Sequence, residues 1–243
     1  MLDNTEPQWK NTETMRSRIA DSKFFEEKTP EARYGLWQGR RIIGRDSPIN
    51  GGVYLGGSAR EAIVVDDIKQ PEIGDTYRQL LGTIGRRGED YKKMVLRDVY
   101  DLTRHAIPYD SQVVEQVVAK LIPGPEPDQK IGLSSFIIAK GGECRHQALL
   151  AGYLLEKLKS DNYLQGTPSV DRNFVPGKGG HAWVRYVNSA GNIVIIDPAQ
   201  DFIGGIEDVG KDQWYYERPG EKPRPPLVTK AKNYLKSNFF KKD

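Results

Sequence analysis

The chain has 243 residues, with 36 lysines and arginines against 33 aspartates and glutamates, a net charge of +3. That length can bury a core without disulfides or metal, and the near balance of charge generates no strong field and does not imply nucleic-acid binding. Apolar residues make up 37% and charged residues 28%, an ordinary globular composition. No apolar run approaches the ~20 residues that a transmembrane helix needs. The start of the chain, MLDNTEPQWKNTETMRSRIADS, lacks the basic-then-apolar pattern of a signal peptide, so a cytoplasmic location is expected.

Residues 1–30 are polar, with sparse apolar positions, and read as an N-terminal arm ending near Pro30. From Tyr34 to Gly57, short apolar runs broken by Ser47-Pro48 and Asn50-Gly51-Gly52 read as strands and turns. Residues 58–88 are transitional, and AIVVDDI within them fits a short strand or a turn of helix. Tyr91, Val95, Val99, Leu102 and Ala106 then fall on one stripe of an amphipathic helix. Val113, Val114, Val117, Val118 and Leu121 repeat the helical pattern, PGPEPD breaks it, and a new segment starts near Lys130. The basic end, LVTKAKNYLKSNFFKKD, carries Leu227, Ala231, Tyr234, Leu235 and Phe239 at helical spacing. It reads as a C-terminal helix docked on its own domain, with a partner or a membrane surface as the other destination.

The chain's one cysteine excludes an intramolecular disulfide and leaves either a buried filler or a reactive thiol. Its surroundings favour the thiol. In SSFIIAKGGECRHQALLAGYLLEKLK, Gly141-Gly142 leads into a helix whose Ala148, Leu150, Ala151, Leu154, Leu155 and Leu158 leave few polar positions, so the helix is expected at the centre of the domain. Cys144 falls in its first turn, where unpaired N–H groups and the positive end of the helix dipole favour a thiolate and can stabilise an oxyanion. The two glycines are expected to let a ligand approach the backbone, and Glu143 reads as an exposed carboxylate favoured at a helix N-terminus. His146 lies about 200° around the helix from Cys144 and reads as structural. His105 reads as a cap on the C-terminal carbonyls of the preceding amphipathic helix.

GKGGHAWVRYVNSAGNIVIIDPAQ reads as a β-hairpin turning over Asn188 to Asn192. In the first strand His181, Trp183, Arg185 and Val187 share one face. A five-residue loop sets Val187 opposite Ile193, which puts Asp197 opposite Trp183 and diagonally beside His181, within reach of its imidazole. A one-residue slip would break that arrangement. Trp183 fits either a wall shielding the cleft or the core, and Asp201 is a fallback for Asp197.

A thiol at a helix N-terminus, an imidazole to take its proton and a carboxylate to fix the imidazole are the parts of a cysteine-nucleophile site. Cys144, His181 and Asp197 are therefore the candidate catalytic residues. A metal site built from Cys144, His146, His181 and Asp197 is the competing arrangement, and the opposed directions of Cys144 and His146 on one helix count against it.

Gly-Gly-Glu-Cys opening a helix, His-Ala-Trp on a strand and a hydrophobic strand ending in Asp-Pro together resemble the transglutaminase-like branch of papain-type folds. GGECRHQALLAGYLLEKL, with RYGLW and GGVY upstream, is similar to the peptidase-like domain that precedes the kinase in plant Raf-like kinases of the ethylene-response and disease-resistance type. The resemblance spans roughly residues 31–205. It implies an α+β fold of papain/transglutaminase-like architecture, with a central helix carrying Cys144 packed on an antiparallel sheet carrying His181 and Asp197. No kinase sequence lies among these 243 residues, and the glutamine that completes the oxyanion hole in papain has no counterpart, since Ile138 stands six residues before Cys144.

The expected organisation is thus an arm over 1–30, a transglutaminase-like domain over 31–205 and a basic C-terminal extension over 206–243. The expected function is acyl transfer through a thioester on Cys144, as an amide hydrolase or a transamidase, with a protein or peptide substrate, no cofactor and no metal. The same residues also suit a non-catalytic module of this fold that binds a peptide or protein.

Overall fold

In the computed structural model, which describes residues 35–56, 61–124, 129–210, 213–218 and 220–221, the chain enters through two short paired strands, β1 (Leu36–Trp37) and β2 (Arg40–Arg41). The N-terminal arm and the basic C-terminal helix expected from the sequence lie outside the described residues. β3 (Val53–Leu55) and β4 (Glu61–Val64) follow as an antiparallel pair.

Helix α1 (Pro71–Arg87) occupies most of the stretch that the sequence leaves transitional. Its buried Ile73, Thr76, Tyr77, Leu80 and Ile84 have helical spacing, but Gly74, Gly82 and Gly85 interrupt the run. Each glycine costs a helix up to about 1 kcal/mol relative to alanine, so the helix depends on the burial of that face.

α2 (Tyr91–Ala106) and α3 (Ser111–Leu121) form where the apolar stripes place them. Asp110 caps α3, its Oδ1 accepting from the N–H groups of Gln112 at 2.9 Å and Val113 at 3.1 Å. β5 (Gln129–Gly132) then adds to β4 in parallel, and α4 (Leu133–Ala139) follows directly.

The centre is α5 (Cys144–Ser160), in which every residue from His146 to Leu155 is buried. A helix apolar on all sides must be covered on all sides. One flank of α5 packs on the sheet β6 (Thr167–Val175), β7 (Gly179–Val187), β8 (Ile193–Asp197) and β9 (Phe202–Gly205), while α1, α2 and α4 cover the rest. This sheet is antiparallel throughout.

The hairpin β7–β8 has the expected register, with Val187 opposite Ile193 and Val184 opposite Ile196. Alternation sorts the side chains. Ala182, Val184, Tyr186 and Ile196 join α5 in the main core, and Trp183, Ile193 and Ile195 join Val175, Phe202, Trp214 and Tyr216 in a second cluster. Trp214 and Tyr216 lie beyond residue 205, so the folded domain extends into the segment expected to be an extension.

β6 has no strong apolar pattern and is held by polar contacts. Buried Asp171 receives Nε of Arg218 at 2.7 Å on Oδ2 and Nη2 at 2.7 Å on Oδ1. Arg172 donates to the carbonyl of Leu55 at 2.5 Å. The protein is a mixed α+β fold with a central helix on an antiparallel sheet, and no helix among the described residues is long and apolar enough to cross a membrane.

Candidate active site

Cys144 is the first residue of α5 and is half-buried against the main core. The turn before it is fixed from two sides. Arg145 donates through Nε to Glu61 Oε1 at 2.7 Å and also pairs with the carboxylate of Glu143. Glu143 is therefore half-buried in an ion pair rather than freely exposed. His146 Nδ1 accepts the N–H of Glu143 at 3.0 Å, satisfying a donor at the helix start.

His146 has the structural role expected of it. It is fully buried, its ring lies 3.8 Å from that of Phe136, and burial, with the charge of Arg145, holds its pKa well below the ordinary histidine value. It stands in the packing under the turn. No group of three or more histidine, cysteine, aspartate and glutamate residues suited to hold a metal lies among the described residues.

The glycines before Cys144 serve a different purpose from the one the sequence suggests. A Cβ on Gly141 would lie 2.5 Å from Val113, and one on Gly142 would lie 2.4 Å from Ile107. The close neighbour is the chain's own 107–113 segment, not a ligand.

His181 lies in β7 opposite Asn173 of β6 and is 7% exposed. Its Nε2 meets Asp197 Oδ2 at 2.5 Å, as the diagonal placement in the hairpin requires. The other nitrogen, Nδ1, is left for Cys144. Burial works against a charge on this imidazole, but the hydrogen bonds to Asp197 and Cys144 and the charges of both push its pKa up to about 10. The structure therefore brings Cys144, His181 and Asp197 together, with the imidazole between thiol and carboxylate.

Asp197 is fully buried and is held by more than His181. Tyr216 O–H donates to Oδ2 at 2.8 Å and the N–H of Gln200 donates to Oδ1 at 3.2 Å. Asp201, the fallback, points elsewhere: it is exposed and pairs with Arg104 of α2. His105 is exposed on the last turn of α2.

Two indoles enclose the imidazole. Trp183 is fully buried in the second core cluster and stacks on His181 at 6.0 Å, so it is both core and wall. Trp214 lies closer, at 4.8 Å, and its Nε1 donates to Asn173 Oδ1 at 2.6 Å. Asn173, Trp214 and Tyr216 were not identifiable as site residues from periodicity. A signal that could have found two of them is the aromatic run Trp214-Tyr215-Tyr216.

The arrangement sets an imidazole of raised pKa beside a thiol and excludes water from the carboxylate side. At the mouth, the N–H groups of Cys144 and Arg145, the first two of α5, have no acceptor among the described residues. Comparison of the chain with protein families, with curated proteins and with solved structures finds no match.

Proposed function

We propose that the protein is a cysteine-dependent acyl-transfer enzyme of papain/transglutaminase-like type. Cys144 is the nucleophile, His181 the general base and acid, and Asp197 the residue that orients His181. The observation that carries this reading is the position of the His181 ring, with Asp197 on Nε2 and Cys144 as its other partner.

The sulfur adds to an amide or ester carbonyl, and its proton resides on Nδ1 of His181. That proton passes to the departing amine or alcohol, leaving a thioester on Cys144. Water or an amine activated by the same imidazole then attacks the thioester, giving hydrolysis or transamidation. Asp197 keeps Nε2–H engaged and so keeps Nδ1 towards the sulfur. The half-buried position of Cys144 suits the side chain of a protein or peptide substrate, and a free thiol at the centre of the site suits a reducing compartment such as the cytoplasm.

Incubation of the purified protein with an activated short-chain ester should give one acyl adduct, mapped by mass spectrometry to Cys144 and discharged faster when a primary amine is added. An adduct that forms equally on Cys144→Ala, or none at all, refutes the enzyme and favours the non-catalytic binding module.

A further inference from the structure

The site has backbone donors at the start of α5, but the position six residues before the nucleophile offers no side-chain donor, because Ile138 is apolar and exposed. Tyr109 stands on the loop between α2 and α3. Gly142 N–H donates to Pro108 O at 3.0 Å and Asp110 N–H donates to Gly142 O at 2.8 Å, so Tyr109 pairs with Gly142, two residues from Cys144.

The loop is pinned at both ends. Gln147 of α5 donates through Nε2 to Ile107 O at 2.8 Å, and the side chain of Asp110 caps α3. The glycines at 141 and 142 admit this segment where any Cβ would collide with Ile107 or Val113. On this fixed loop the side chain of Tyr109 is 58% exposed. Its hydroxyl has no hydrogen-bond partner among the described residues. Partial burial, then the charges of Cys144 and Glu143, raise its pKa above the usual tyrosine value, so the hydroxyl is a protonated donor within electrostatic reach of the thiol.

We propose that Tyr109 is a catalytic residue on the substrate side of the cleft, its hydroxyl donating to the carbonyl oxygen of the acyl substrate as that oxygen becomes an oxyanion. This rests on Cys144 being the nucleophile. The S–C bond forms as the carbonyl π pair moves onto oxygen, which accepts hydrogen bonds from Tyr109 O–H and Cys144 N–H, while His181 holds the thiol proton. Collapse returns the pair to carbon and expels the leaving group, giving the thioester. Tyr109 keeps its proton throughout.

The test compares the full chain with Tyr109→Phe in two reactions. Acylation by p-nitrophenyl acetate passes through an oxyanion; alkylation by iodoacetamide displaces iodide at a saturated carbon and forms none. Tyr109→Phe should be acylated at least about tenfold more slowly, the loss typical of removing an oxyanion donor being that or larger, while its alkylation rate matches wild type. Equal acylation rates overturn the inference. An equal fall in both reactions also overturns it, since Tyr109 would then act on the thiol or on folding. Wild-type protein inert to both reagents removes Cys144 as nucleophile and this inference with it, which separates that failure from a failure at Tyr109 alone.

Discussion

Replacing His181 with alanine should change how alkylation of Cys144 depends on pH. In the native site burial disfavours the imidazolium, but Asp197 and Cys144 raise its pKa to about 10. Because the folded value lies above the ordinary 6.5, the ring keeps its proton from acid up to about pH 10, and a positive charge stands beside the sulfur across the whole assay range. Beside that charge, alkylation of Cys144 by iodoacetamide should depend less steeply on pH than it does in His181→Ala. Without the imidazole, an ordinary thiol with pKa about 8.5 is roughly 1% ionised at pH 6.5 and half ionised at pH 8.5, so the rate of His181→Ala should climb about fiftyfold over the same range. Asp197→Asn, which keeps a polar partner for Nε2 but removes its charge, should give a slope between the two. The adduct is followed with time by intact-protein mass spectrometry, with circular dichroism to verify folding. A wild-type profile as steep as that of His181→Ala would refute the thiolate–imidazolium pair.

Arg218→Ala leaves the fully buried carboxylate of Asp171 without its cation and should lower unfolding stability in urea by about 3–5 kcal/mol. An unchanged midpoint would mean that β6 does not depend on this pair. Gly142→Ala forces a Cβ to within 2.4 Å of Ile107, so stability should fall by about 1–3 kcal/mol and alkylation of Cys144 should slow as the turn shifts. A chain stopped at Gly205 loses Trp214 and Tyr216 from around His181 and Asp197. It should show a pH profile of alkylation like that of His181→Ala, and a wild-type profile would show that the tail does not support the site.

The parts of the fold legible in the sequence are those in which apolar periodicity and burial coincide. α5 is apolar on nearly every face, so no competing environment exists for it. The register of β7–β8 follows from one loop length and an alternation that a slip would invert, and it places Asp197 beside His181. β6 is different: Ser169, Asp171, Arg172 and Asn173 are all buried, and partners as distant in sequence as Arg218 and Leu55 make that burial tolerable. Nothing local announces such a strand. Likewise the purpose of Gly141-Gly142 depends on which segment approaches them, and a glycine pair is compatible with a ligand or with the chain itself.

Asp197 bears on whether the constellation is there for stability. It is fully buried, and removing a carboxylate from water costs several kcal/mol even after relaxation. Three donors offset that cost: His181 Nε2, Tyr216 O–H and Gln200 N–H. Apolar residues of similar volume would commonly stabilise such a position as well or better, and the cluster around it is already apolar, with Trp183, Ile195 and Phe202. The imidazole that Asp197 engages through Nε2 also interacts with the half-buried Cys144 at the start of the central helix. Packing alone does not require that interaction, nor Trp214 held over the ring by a hydrogen bond to Asn173. A charged imidazole between a sealed carboxylate and a half-buried thiol is costly to fold, and it places the charge where the proposed thiol nucleophile would need it.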